Sequence, residues 1–146
     1  MKTRKATTAR SAGNWQGMNW LRPVKRIAIY LRDGVRCAWC DAPLEAGTIF
    51  TLDHLKPHAK GGSNHESNLV TCCKHCNDSR GKRGQSAFAY AVATYVNHGL
   101  TREDILGHIA ITSRRSLKPF VVQAKALFAR HGNFTAVMKH LQGGGK

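Results

Sequence analysis

The chain has 146 residues, 42% of them hydrophobic, which suits one domain with a modest core that a metal staple would help to hold. Against 8 Asp and Glu stand 23 Lys and Arg, and the resulting formal charge of +15 points to a polyanionic partner, nucleic acid ahead of an anionic membrane surface. No apolar run nears the roughly 20 residues of a membrane span, and Met1-Lys2-Thr3-Arg4-Lys5 leads into Ser, Ala and Gly rather than an apolar signal core, so no membrane partner is expected.

Residues 1–22 form a basic arm (Lys2, Arg4, Lys5, Arg10) that buries little and is expected to be partly disordered, with Trp15 and Trp20 as its exceptions. Pro23 suits the first turn of a helix whose apolar positions are Val24, Ile27, Ala28 and Leu31, ended by Asp33-Gly34. After a Cys-x-x-Cys turn, Thr48 to His54 is rich in β-formers and predicts a strand. A polar loop with Pro57, Gly61 and Gly62 precedes a short apolar piece, Leu69-Val70. Lys74 to about Arg83 predicts a short exposed helix stopped near Gly84.

The rest predicts helices. Phe88, Val92, Tyr95 and Val96 mark one, and Thr101 with Asp104 resembles a capping box opening the next, with Ile105 and Ile109 inward. Phe120, Ala124, Leu127 and Phe128 mark a third; Phe134, Val137, Met138 and Leu141 mark a fourth. The expected organisation is a 1–22 arm, a 23–84 core, an 85–142 helical extension and a 143–146 flexible tail.

Five cysteines, an odd number, include the pairs Cys37/Cys40 and Cys73/Cys76. Two such turns can close a tetrahedral four-sulfur shell around a structural Zn²⁺, worth about 10 kcal/mol or more of folding free energy. The alternatives are a redox pair, for which no βαβ pattern exists, or buried free thiols. Metal-binding cysteines also argue for a reducing, cytoplasmic location. Cys72 reads as a small buried hydrophobe beside the site.

The string Thr51-Leu52-Asp53-His54-Leu55-Lys56-Pro57, then Gly61-Gly62, Asn68-Leu69-Val70 and Cys73-Lys74-His75-Cys76-Asn77, resembles the HNH nuclease family. This family is also called ββα-metal or His-Me finger, and the resemblance is to its zinc-stapled, four-cysteine form, over about residues 23 to 84. It implies an α+β fold: a ββα-metal core with a structural zinc, flanked by an N-terminal helix and a mostly helical C-terminal region. It also implies a metal-dependent DNA endonuclease. His54 resembles the general base, since an imidazole can take a proton from water near neutral pH. Asp53 and Asn77 resemble the ligands of a catalytic divalent cation, Mg²⁺ or Mn²⁺, that binds the scissile phosphate. Asn68 resembles the motif's central Asn, which ties down the loop and helps to orient the histidine.

Two departures stand out. Asn77 lies where the family's name implies His, although either side chain offers one neutral ligand atom. Asp53 and His54 are also neighbours on a strand and should point to opposite faces, so they serve one site only if the chain turns or if they approach the phosphate from different sides.

Arg80, Lys82 and Arg83, with Lys56, Lys60 and Lys74, form a basic cluster for DNA phosphate contact, Arg80 falling where the family carries a basic residue; a solvated charged face is the alternative. His58 has a weaker claim to phosphate or metal, and His75 should face solvent. The rival functions are a non-catalytic zinc-stabilised nucleic-acid-binding module and a basic interaction protein with an acidic partner. Small proteins of this kind serve as phage, homing or restriction nucleases, and double-strand cleavage would suggest a homodimer.

Overall fold

The computed structural model describes residues 20–45, 47–95 and 99–143. The expected arm up to Trp15, the helical position Val96 and the end of the glycine tail lie outside the described residues.

Helix α1 (Pro23–Arg32) opens with Pro at N1, where a missing N–H costs nothing, and carries Ile27, Ala28, Ile29 and Tyr30 fully into the core. Val24 and Leu31, expected as its inward stripe, are only half-buried. The chain leaves through Asp33 and Gly34 (φ +81°), whose positive φ suits glycine, and Val35 N–H closes the reversal on the Tyr30 carbonyl at 2.8 Å. A short bridge between Arg36 and Pro43 then brackets the first cysteine turn.

Strand β1 (Phe50–His54) pairs antiparallel with β2 (Leu69–Cys73), Asp53 opposite Val70 and His54 opposite Leu69. All five residues of β2 are buried. A strand covered on both faces loses the alternation of a half-exposed one, and here α1, α2 and α4 pack around it. Helix α2 (Lys74–Arg80) follows without a break, capped by the Cys73 sulfur, which accepts from Cys76 N–H at 3.4 Å.

Helices α3 (Gln85–Tyr95), α4 (Arg102–Arg114), α5 (Lys118–His131) and α6 (Phe134–Gln142) complete the chain. Thr101 and Asp104 form the expected capping box of α4, which buries Ile105 and Ile109. Helix α5 lies along α1, and α6 closes over α5 with Val137 and Leu141 buried. The result is an α+β protein with a two-stranded sheet and six α-helices among the described residues.

A buried ion pair joins its parts. Arg32 and Asp33 are both fully buried and bonded side by side at 2.7 Å. The Asp33 carboxylate also accepts from Thr71 N–H on β2 and from the Thr112 hydroxyl on α4. Arg32 donates onward to the carbonyls of Glu66 and Leu69.

Candidate active site

The two cysteine turns meet. The sulfurs of Cys37, Cys40, Cys73 and Cys76 all lie within 4.8 Å of one another, and Cys40 Sγ is 3.8 Å from Cys73 Sγ. Zn–S bonds of about 2.3 Å would place neighbouring sulfurs about 3.8 Å apart at tetrahedral corners, so the donor set and its spacing fit such an ion. Packed together, the thiols compete for charge. Hydrogen bonds from Cys37, Cys40 and Cys76 hold the Cys73 thiol far below its ordinary range, and contacts within the same cluster push Cys40 and Cys76 up. The first turn is stitched to the sheet by Ala38 N–H on the Thr71 carbonyl. Cys72, the next residue on β2, lies beside the cluster against Cys37, donates to the Cys73 carbonyl and is buried, as expected of a small core residue.

Just beyond, β1 ends in Asp53-His54, and the two side chains do diverge. Asp53 turns inward: its Oδ2 accepts from Trp39 Nε1 at 2.9 Å and from Arg80 Nη1 of α2. Trp39 lies between Cys37 and Cys40, so the first cysteine turn itself supplies a donor to the carboxylate. Oδ1 makes no hydrogen bond among the described residues and is left as an oxygen donor.

His54 faces the loop. Its Nε2 lies 2.8 Å from Asn64 Oδ1, and its ring stacks on Trp20 with centroids 4.9 Å apart. An amide oxygen only accepts, so the neutral imidazole carries its proton on Nε2 and leaves the Nδ1 lone pair free. His58, exposed, has its ring 5.7 Å from that of His54.

Asn68 holds the intervening loop shut. Its Oδ1 accepts from Lys56 N–H, and its Nδ2 donates to the carbonyls of Lys56 and Ser63. The chain passes so closely here that a Cβ on Gly62 would sit 1.8 Å from the Lys56 carbonyl oxygen, which explains the glycine. The clasp sets the position of Asn64 and thereby the support of His54.

On α2, Asn77 is exposed, one turn before Arg80, whose guanidinium reaches the end of β1. Arg80 is not where the sequence suggested. It is 3% exposed, and four of its five N–H groups are committed to Asp53 and to the carbonyls of His54, Leu55 and Arg83. A guanidinium so engaged braces the strand instead of lying open to a flanking phosphate. Lys74 is held by Asp78 at 2.6 Å. Lys56, Lys60, Lys82 and Arg83 remain exposed, Arg83 lying over the Phe88 ring. His75 is exposed, as expected.

Trp39, Asn64 and Trp20 are the neighbours of the site that the sequence did not single out for a role in it. Trp39 had a signal, a large aromatic inside a cysteine turn. Asn64, in a polar loop, had none.

A family model described as HNH endonuclease matches residues 37–91. Over 69 residues, 47% of this chain, the sequence is 33% identical to the CRISPR-associated endonuclease Cas9 of Corynebacterium diphtheriae, and the match spans 6% of that protein. No solved structure matches the chain. The segment that resembles the HNH endonuclease family thus runs from the first cysteine turn into α3. It starts later than Pro23 and reaches further into the helical region than the motif alone indicated.

Proposed function

We propose that the chain is a metal-dependent endonuclease that hydrolyses phosphodiester bonds in DNA, with His54 as general base. The observation that carries this reading is the pair of separate supports under adjacent residues: Trp39 and Arg80 on Asp53, Asn64 on His54. A structural scaffold needs the cysteines, but it does not need an imidazole with one nitrogen held and the other free.

In the proposed reaction, His54 Nδ1 accepts the proton of the attacking water while Asn64 holds the ring through Nε2. Asp53 Oδ1 and the Asn77 amide oxygen, both hard donors, would hold Mg²⁺ or Mn²⁺. That cation, when bound, supplies positive charge to the phosphorane and the departing 3′ oxygen. Asp53 and His54, on opposite sides of the strand, serve one phosphate by reaching it from two directions. Arg80 keeps the Asp53 carboxylate aimed, and Asn68 maintains the loop. Zn²⁺ in the four-cysteine cluster has a structural part, fastening α2 to the hairpin. Lys56, Lys60, Lys82 and Arg83 supply phosphate contacts around the site.

Plasmid DNA incubated with Mg²⁺, with Mn²⁺ or with EDTA tests the reading. Cleavage with metal and none with EDTA is expected. Binding without cleavage in any metal would leave the non-catalytic nucleic-acid module as the function.

A further inference from the structure

Behind the loop that supports His54 lies a groove of about 990 Å³, formed where the start of α1 and the junction of α4 and α5 face the 65–67 turn. Six cations line it: Arg22, Lys25, Arg114, Arg115, Lys118 and Lys125. Glu66 is the one acid in its lining, and Lys25 already neutralises it at 3.2 Å. Arg115 donates to the Arg32 carbonyl. The side chains of Arg22, Arg114, Lys118 and Lys125 have no partner among the described residues, and all four are exposed. The first turns of α1 and α5 hold no acidic residue that would offset this charge.

We infer that this groove binds the phosphodiester backbone of the DNA duplex flanking the cleavage point. The inference rests on the nuclease reading for its substrate and adds a second contact surface outside the family segment. Three observations favour this occupant. So many unpaired cations in one concavity repel one another and are relieved by a polyanion. Continuity with the catalytic loop is direct, because Lys25 Nζ reaches the carbonyl of Asn64, the residue whose side chain holds His54. No Phe, Tyr or Trp lines the groove, so it offers no platform for unstacked bases and suits a backbone. Lys118 and Lys125 lie seven residues apart on one face of α5.

The test is binding of a 30-base-pair duplex in EDTA, followed by fluorescence anisotropy across a salt series. Three proteins are compared: the wild type, the groove double variant Lys118→Ala/Lys125→Ala, and the control Arg130→Ala/Lys139→Ala. The control removes two exposed cations from the far end of α5 and from α6. Each lost phosphate contact should flatten the slope of log affinity against log salt by about 0.9. The groove variant is expected to bind more weakly with a slope shallower by about 2, the control to keep the wild-type slope, and both to melt like wild type. Equal losses in the two variants would mean that only net charge matters. A wild-type slope in the groove variant would leave an acidic protein as the occupant. Either result overturns the proposal. Since no cleavage is needed, the two readings fail separately: loss of slope in a protein that never cuts refutes only the nuclease, and a cutting enzyme with an unchanged slope refutes only the groove.

Discussion

Asp53 is where the proposed catalytic metal site would meet the four-cysteine cluster. Its carboxylate accepts from an indole that sits between two of the four clustered cysteines, so the orientation of the proposed catalytic ligand depends on the shape of the first cysteine turn. Groups that orient a metal ligand typically change metal affinity or activity by about 10–100-fold when removed. Trp39→Phe keeps an aromatic ring, although a smaller one, against Phe88 while deleting the N–H. It should slow cleavage by about that factor, raise the Mg²⁺ concentration needed for half-maximal rate, and leave bound zinc unchanged. A wild-type Mg²⁺ dependence would remove Trp39 from the positioning of Asp53. The motif residues themselves were readable because their chemistry is tied to residue type. The braces were not, because Arg80 and Asp53 stand 27 positions apart and no local pattern pairs them. From sequence, Arg80 could be placed only as a cation at the family's basic position, for phosphate contact.

Between β1 and β2 the loop is closed by one asparagine and opened by no side chain at Gly62. Gly62→Ala drives a methyl into the Lys56 carbonyl, so the loop must shift and carry Asn64 away from His54. A fall of at least tenfold in cleavage is expected with the zinc site intact, checked by rate and metal content; an unchanged rate would mean that His54 needs no such support. The cluster itself fixes the turn into α2. Cys73→Ser removes both a thiolate and the sulfur that caps the helix, and with zinc sites supplying about 10 kcal/mol or more it should yield a chain that loses metal and melts far lower. Melting like wild type would show that the four sulfurs hold nothing. Helix α1 and the α4 capping box were legible because punctuation residues mark their ends. Strand β2 was read only as Leu69-Val70, since full burial erases the period of two and its last residue, Cys73, was read as a metal ligand.

Across the molecule, Arg32 and Asp33 tie α1, β2, the 66–69 turn and α4 into one body. The sequence showed Asp33 as a helix end beside glycine, and its partners lie up to 79 positions away. Asp33→Ala strands a buried guanidinium and a strand N–H. It should cost about 3–5 kcal/mol and lower the melting temperature without altering the metal requirement of the folded fraction. A shift of under about 1 kcal/mol would show that solvent or other groups replace the carboxylate. The helices beyond the matched segment are thus fastened to the hairpin that carries Asp53 and His54. In the proposed reaction, cleavage depends most on His54. Under single-turnover conditions with saturating Mg²⁺, His54→Ala should cleave DNA about 10²–10⁴-fold more slowly than wild type while binding zinc and duplex normally. Equal rates in the two proteins would contradict it.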